Sequence, residues 1–266
     1  MRRRVVRFSL LGLSAVVAAS CVMVMEEESG PAWLPSGEFR KSVAFAAGGT
    51  VAVEHTLGDI TITGWEKDTV EVVAKLGQER PASPGRVRMY AAEDLEPSID
   101  IREVGDGLKI RTKSLGGPWS TSGLDYAIQL PRSVNIDALS LEKGDISVVG
   151  VYGRMVVELG QGSLKVDNFS GPLKASIGSG RADVELLDIR TEDVIEITVS
   201  DGDITLRLQS DANVRVAADS PRGEITSDLD LGQRLPSRSL SGRLGGGQAR
   251  VVLKALRGNI QILKTE

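Results

Sequence analysis

Apolar and polar residues alternate strictly on both sides of a glycine that recurs along the chain. The positions two and four residues after the glycine are aliphatic in nearly every unit, as with Ile146 and Val148. The positions three, five and seven residues before it are mostly aliphatic as well, as with Leu159, Val157 and Met155. A period of two is typical of strands that bury one face, and no helix would bring these residues to one side. Each unit is therefore predicted to be a strand, a glycine turn and a second strand.

The recurring glycine sets the period of the repeat. It stands at Gly58, Gly144, Gly162, Gly180, Gly202, Gly223 and Gly258. From Gly144 to Gly223 the spacings are 18, 18, 22 and 21 residues. A period of about 20 residues is typical of a solenoid, in which one coil cannot bury its apolar face and about three or more must stack.

The predicted fold class is all-β. We expect a single-stranded parallel β-helix, or β-solenoid, with rungs of about 18–22 residues and a β-rich N-terminal cap. Val157, Ala175 and Ile197 occupy equivalent positions in successive units and should share one dry interior row. The alternative is an antiparallel β-sandwich with frequent turns, which the constant register over consecutive units disfavours.

The chain divides into four predicted segments. Residues 1–20 form a signal peptide, 21–37 a tether, 38–135 the β-rich cap with the first rungs, and 136–266 the solenoid repeats. Within the cap, strands are predicted at 69–74, 98–102, 108–112 and 126–130, with a hairpin turn at 104–107 and a short helix at 88–95. The loop 226–248 is expected to leave the stack, and the chain to return at Ala249.

The first 21 residues resemble a bacterial export signal. A basic head precedes an apolar run from Phe8 to Ala19, which is too short to span a bilayer. The only cysteine, Cys21, follows small residues and resembles the modified cysteine of a lipobox. This predicts lipidation of Cys21 and a membrane anchor, with sorting to the outer membrane in a Gram-negative cell. A poorly inserting anchor, or cleavage that leaves Cys21 incidental, remains the alternative.

Composition narrows the possible partners. Aromatic residues make up 4% of the chain, so the core must be aliphatic. Four arginines lie in the first seven residues, and without them 28 basic residues face 36 acidic ones, a formal charge of about −8. An acidic chain with no basic cluster is repelled by phosphate backbones, which argues against nucleic-acid binding.

No catalytic or cofactor-binding residues, and no metal ligands, are predicted. His55, the only histidine, falls at a core position of its unit and is expected in an end rung or the cap. Asp59, Asp145 and Asp203 follow their turn glycines, where a calcium ladder is possible, although turn chemistry also explains them. Asp201 beside Asp203 is a weak signal for glycoside hydrolysis.

Two loops and one tryptophan are weaker candidates. The Gly-x-Gly turns at 160–162 and 178–180 superficially resemble phosphate loops, but strands follow them and no helix N-terminus is available to hold an anion. Trp119 lies in a Gly-Pro-Ser loop where it either binds a sugar or protein or packs back on the domain.

The Asp-Gly-Asp-Ile type of turn, after a strand that ends Gln129-Leu130-Pro131, resembles the bacterial putative adhesin family, a β-solenoid domain family of unknown function. The pattern covers about residues 40–266, and the closing Gly258-Asn-Ile-Gln-Ile fits it too. The resemblance implies an exported envelope protein and supplies no catalytic residues. The predicted function is a non-enzymatic envelope lipoprotein that binds a protein or glycan. A carbohydrate-active β-helix enzyme and a sensory or regulatory envelope protein are the alternatives.

Overall fold

The computed structural model describes residues 38–76, 98–113, 123–232 and 236–265. Eighteen strands and no α-helix lie within these residues. The strands are β1 (Glu38–Ala44), β2 (Thr50–Leu57), β3 (Ile60–Trp65), β4 (Thr69–Leu76), β5 (Ile99–Val104), β6 (Gly107–Thr112), β7 (Leu124–Pro131), β8 (Asn135–Lys143), β9 (Ile146–Val149), β10 (Met155–Ser170), β11 (Leu173–Asp188), β12 (Val194–Asp201), β13 (Ile204–Leu208), β14 (Val214–Asp219), β15 (Ile225–Ser227), β16 (Ser239–Leu244), β17 (Ala249–Ala255) and β18 (Ile260–Lys264).

These strands form two faces, each a series of strands in which neighbours are hydrogen-bonded to each other. Face A runs β5-β6-β2-β8-β10-β11-β12-β17-β14-β16. Face B runs β1-β4-β7-β3-β9-β10-β11-β13-β18-β15. The long strands β10 and β11 turn the corner and belong to both faces. A coil is one face A strand with the face B strand that follows it, so the predicted strand, glycine turn and strand unit is confirmed.

The interior is a set of aliphatic rows that run across the coils. Val157 pairs with Ala175, and Ala175 with Ile197, in parallel register. Their exposed fractions are 1%, 2% and 0%, so the predicted dry row is confirmed. Leu139 and Leu253 extend the row on either side. Burying each large side chain stabilises the stack by about 1.5–3 kcal/mol, and this replaces the aromatic core that the sequence lacks.

The turn glycines form a column at the corner between the faces. Gly180 has a φ of +138°, which side-chain-bearing residues rarely adopt. A Cβ at this position would come within 1.8 Å of the carbonyl oxygen of Gly162 in the neighbouring coil. Glycine is therefore required for two reasons: the backbone at this position has a positive φ, and the neighbouring coil leaves no room for a Cβ.

The order of coils departs from chain order at both ends of the stack. Near the N-terminus, the β2–β3 coil lies between the β6–β7 coil and the β8–β9 coil. Near the C-terminus, the β17–β18 coil lies between β12–β13 and β14–β15. At each end, the coil that comes first or last in the sequence is therefore the second coil from the end of the stack.

Antiparallel strands close both ends of an otherwise parallel stack. At one end β5 pairs with β6, and β4 and β1 extend face B beyond β7. At the other end β16 pairs with β14. The expectation that 226–248 leaves the stack is therefore wrong for Ser239–Leu244, which forms a cap strand. The return at Ala249 is confirmed, and the returning coil inserts inside the stack.

The strands predicted between 69 and 130 are present as β4 to β7, and the hairpin turn at 104–107 joins β5 to β6. The predicted signal peptide, Cys21 and the tether lie outside the described residues, as do the helix at 88–95 and Trp119. Among the described residues, no helix is long and apolar enough to cross a membrane.

Candidate functional site

His55 is buried at the N-terminal end of the core, between two coils. Only 5% of the residue is exposed, and its ring meets the Tyr126 ring edge to face at a centroid distance of 4.9 Å. Nε2 lies 2.7 Å from the Leu124 carbonyl oxygen, and Nδ1 lies 2.8 Å from Thr112 Oγ1. The Thr112 hydroxyl is also 2.8 Å from the Tyr126 hydroxyl. The core position predicted for His55 is confirmed, in the penultimate coil of the stack, one coil inside the predicted end rung.

One arrangement of protons satisfies the whole network. Since a carbonyl only accepts, His55 Nε2 donates to Leu124, and Nδ1 accepts from the Thr112 hydroxyl. Thr112 then accepts from Tyr126. Burial lowers the pKa of His55, and burial raises the pKa of Tyr126 to about 12. Both rings are therefore held neutral, and the network joins the β2–β3 coil to the β6–β7 coil.

The aspartates after the turn glycines form a hydrogen-bonded ladder between coils. Asp125 Oδ1 accepts from the peptide N–H of Asp59 at 2.9 Å, and Asp59 Oδ1 from that of Asp145 at 2.8 Å. Asp145 Oδ1 in turn accepts from the N–H of Ser163 at 2.7 Å. A second run links Asp203 Oδ1 to the N–H of Asn259 at 2.6 Å. The contact explains why Asp and Asn recur here.

The calcium ladder considered for Asp59, Asp145 and Asp203 is not assembled as one group. Ser163 and Arg181 occupy the two intervening coils and separate Asp203 from the other two. Among the residues that the structure describes, no three His, Cys, Asp or Glu side chains are grouped to hold a metal ion. Asp201 is paired with Arg257 at 3.0 Å and does not converge with Asp203 on a shared site.

A concavity lies on the outer side of face B, near its N-terminal end. This groove of about 530 Å³ is formed by outward side chains of β1, β4, β7 and β3. Its floor holds small and hydroxylic residues, Thr61, Thr63, Val73 and Ala127. Charged side chains rim it: Glu38, Arg40, Asp59, Glu71, Lys75 and Asp125.

Ion pairs join four of the six rim charges of the groove, while Asp59 and Asp125 have no cationic partner among the described residues and leave the rim with two excess negative charges. Glu38 receives Arg40 Nη2 and Lys75 Nζ, each at 2.9 Å, and Arg40 also binds Glu71. The hydrogen bond from Lys75 is the main cause that lowers the pKa of Glu38. The groove therefore presents a fixed pattern of alternating charge over a neutral floor, which suits recognition of a polar surface.

Sequence reasoning missed this groove because its residues are the polar members of each alternation, which look like ordinary solvent-facing positions. The only usable signal was the charge in Glu38-Phe-Arg40 and Glu71-Val-Val-Ala-Lys75. Neither segment indicates that β1 and β4 lie side by side. The Gly-x-Gly turns at 160–162 and 178–180 belong to the corner column, in a shallow surface depression with Arg181 and Asp203.

Trp65, the one tryptophan among the described residues, packs back on the domain. Its Nε1 donates to the Thr69 carbonyl at 2.8 Å, and the Lys67 ammonium lies 4.5 Å from the ring centroid. The side chain thus closes the turn between β3 and β4, and the described part of the chain offers no exposed tryptophan for sugar stacking.

The architecture and the sequence agree with one known family. The Toastrack DUF4097 family model matches residues 34–263. The chain belongs to this family. The predicted membership of a β-solenoid family of unknown function is thereby confirmed over nearly the whole predicted span. No curated protein sequence matches the chain.

Solved structures of other bacterial proteins resemble this Toastrack domain. A putative cell adhesion protein from Clostridium sporogenes superposes with a TM-score of 0.52 at 15% identity, over 86% of this chain and 99% of that one. A putative adhesin from Bacteroides fragilis gives 0.37 at 10% identity, over 87% and 99%. A putative lipid binding protein from Parabacteroides distasonis gives 0.34 at 11%, over 86% and 97%. Of these three, only the first exceeds 0.5, and at this identity it supports a shared fold alone.

Proposed function

We propose that this Toastrack protein is a non-enzymatic binding module of the bacterial envelope, exported and anchored through a lipid on Cys21. The family assignment and the adhesin descriptions of its structural neighbours support a binding role. The lipobox-like sequence at Cys21 supports the anchor. A rigid stack of coils then displays its outer faces to an envelope protein or glycan.

This proposal rests on one observation: the side chains best suited to catalysis are engaged in holding neighbouring coils together. His55 is locked neutral between coils, and Asp59 and Asp145 accept backbone N–H groups of the next coil. These groups hold the fold together. By contrast, the groove on face B is lined mainly by outward side chains, such as Thr61, Thr63 and Ala127, that contribute little to packing.

The rival activity, carbohydrate cleavage, would use the same groove. Glycoside hydrolysis needs one carboxylic acid kept protonated by a raised pKa and a second ionised carboxylate. Glu38 is the rim carboxylate with the most complete ion pairing, and Lys75 lowers its pKa. The electrostatics of that residue oppose an acid role and favour a fixed recognition charge.

The two functions separate in a paired assay on the purified protein. Binding to isolated envelopes should saturate, and incubation with envelope polysaccharides should release no reducing ends. A groove variant, Ala127→Arg, places a long cation on the floor and should abolish saturable binding if the groove is the docking surface. Ser176→Arg, at an exposed position on face A away from the groove, is the matched control. Steady release of reducing ends that Ala127→Arg abolishes would contradict the proposal.

The anchor has its own test. Cells grown with labelled palmitate should incorporate the label into the wild-type protein and not into Cys21→Ser. Membrane fractionation should show the wild-type chain in the pellet and the variant in the soluble exported fraction. Label in the Cys21→Ser variant would remove Cys21 as the anchor.

A further inference from the structure

Three arginines lie side by side on face A at the C-terminal end of the stack. Arg215 of β14 is directly opposite Arg243 of β16 in the antiparallel pair. Arg215 is also in register with Arg250 of β17 in the parallel pair. All three side chains are exposed and point outward, since their strand neighbours Val214, Val216, Ala249 and Val251 are buried. We call this set the arginine row.

The three arginines of the row are unpaired within the part of the chain that the structure describes. Neither an ion pair nor a side-chain hydrogen bond forms between these arginines and described residues. The cross-strand cations at the other end of face A behave differently. Lys109 and Arg111 flank Glu54 and bind its two oxygens at 2.6 and 3.3 Å. The same sheet therefore balances its charges at one end and leaves three positive charges in register at the other.

This arrangement costs stability in the free protein. Like charges directly opposite each other across a sheet are destabilising, and strands lie about 4.8 Å apart. Packing also holds part of the row in place, because a Cβ at Gly247 would come within 2.4 Å of Arg243 Cδ. An anion that bridges neighbouring guanidinium groups would relieve the repulsion and accept paired hydrogen bonds from each.

The surroundings of the row indicate the shape of the anion. Beside it runs a line of short outward residues, Ser241, Ala217 and Val252, which leaves a ledge along the arginine stems. The line of the ledge continues onto β12 at Glu196, which is in register with Val252, and Asp219 stands one outward position further along β14, in register with Lys254. A broad anionic surface would meet these carboxylates, whereas a single narrow chain lying along the row would not.

We propose that the arginine row binds an anionic polysaccharide, with carboxylate or similar groups on successive sugars paired to successive arginines. The strand spacing of about 4.8 Å is close to the length of one hexose unit in an extended chain. The row also lies about 34 Å along the stack from the β6–β7 coil, at about 4.8 Å per coil, and β1 lies beyond that coil. The inference rests on the proposed envelope function and names its partner class.

Binding is tested with full-length protein carrying Cys21→Ser, so that no acyl chain interferes. Immobilised polygalacturonate is the probe, dextran the neutral control and phosphatidylglycerol vesicles the lipid control. The triple variant Arg215→Gln, Arg243→Gln, Arg250→Gln should weaken polygalacturonate binding by about tenfold or more. A control with the same net charge, Lys41→Gln, Arg181→Gln, Lys264→Gln, should change it by less than about twofold.

A second readout does not depend on the ligand. Removing three charges in register should leave the melting temperature of the triple variant equal to or above that of the parent. Equal losses of binding in both triple variants, absence of binding to polygalacturonate, or row-dependent binding to vesicles alone would each overturn the inference. If the row variant still binds isolated envelopes as the parent does, the arginine row is refuted while the envelope-binding function stands.

Discussion

Replacing one interior residue of the Val157–Ala175–Ile197 row tests the geometry on which the whole fold depends. Ile197 is fully buried, with Ala175 on one side and Leu253 on the other. Thr198, the next residue, points outward between Ser176 and Lys254. Aspartate at 197 and aspartate at 198 therefore differ in side-chain direction alone.

The magnitude follows from two losses at position 197. Truncating a buried Ile costs about 2–5 kcal/mol, including the cavity. A carboxyl without partners in an apolar row adds about 1–3 kcal/mol even when it takes up a proton. At about 2–4 °C per kcal/mol for a domain of this size, Ile197→Asp should lower the melting temperature by about 10–25 °C. Thr198→Asp should stay within about 0.5 kcal/mol of wild type.

Far-UV circular dichroism melts of the two variants and wild type, at one protein concentration and pH 7, measure the difference. Because coils contact mainly their neighbours, hydrogen exchange on Ile197→Asp should show the loss spreading from the β12–β13 coil toward the C-terminal end. Equal melting temperatures for Ile197→Asp and Thr198→Asp would refute the alternation of inward and outward positions, and with it the stacked-coil interior.

Three further predictions concern the corner, the buried histidine and the aspartate ladder. Gly180→Ala should destabilise the fold by about 3 kcal/mol or more in a urea melt, because the new Cβ meets the Gly162 carbonyl. Gly105→Ala is the control: its Cβ has open space around it, so only the positive φ should cost stability, about 1–2 kcal/mol. Because the folded pKa of His55 is lowered, its neutral form stabilises the protein above the unfolded value of about 6.5, and that stability is lost as pH falls toward the folded pKa. Urea melts between about pH 5 and pH 8 should show the free energy of unfolding rising with pH in wild type and rising less steeply in His55→Phe. Parallel slopes for the two proteins would count against a buried neutral imidazole. Asp145→Ala should lower the free energy of unfolding by about 1–2 kcal/mol. Asp145→Asn should lower it much less, because the amide oxygen still accepts the N–H of Ser163 in the next coil. Equal thermal stability of the two variants would show that the ladder contact contributes nothing.

The local architecture was largely predictable from the sequence. The alternation around Gly162 and Gly180 specifies two short strands and a corner, and the constant register predicts that Val157 lies over Ala175. The position of His55 in the aliphatic column likewise predicted its burial. These features depend on residues close in the chain, for which the pattern of side chains and the need for a positive φ leave few alternatives.

The groove and the arginine row could not be predicted in this way. Glu38 and Lys75 meet through the antiparallel pairing of β1 with β4, and Arg215 and Arg243 through that of β14 with β16. Both pairs lie in caps, where the repeat no longer fixes the neighbour of each strand. Their polar positions are indistinguishable in sequence from any other solvent-facing residue.

The sequence alone determined the coil: its length, its glycine corner and the residues that face inward. Tertiary structure alone decided the order in which coils stack. Every unit carries the same glycine and nearly every unit the same inward aliphatic positions, so the Gly202 coil could accept the Gly258 coil or the Gly223 coil on local grounds. The antiparallel caps and the loops between coils select one order, because they must close both ends of the stack and leave no apolar face uncovered.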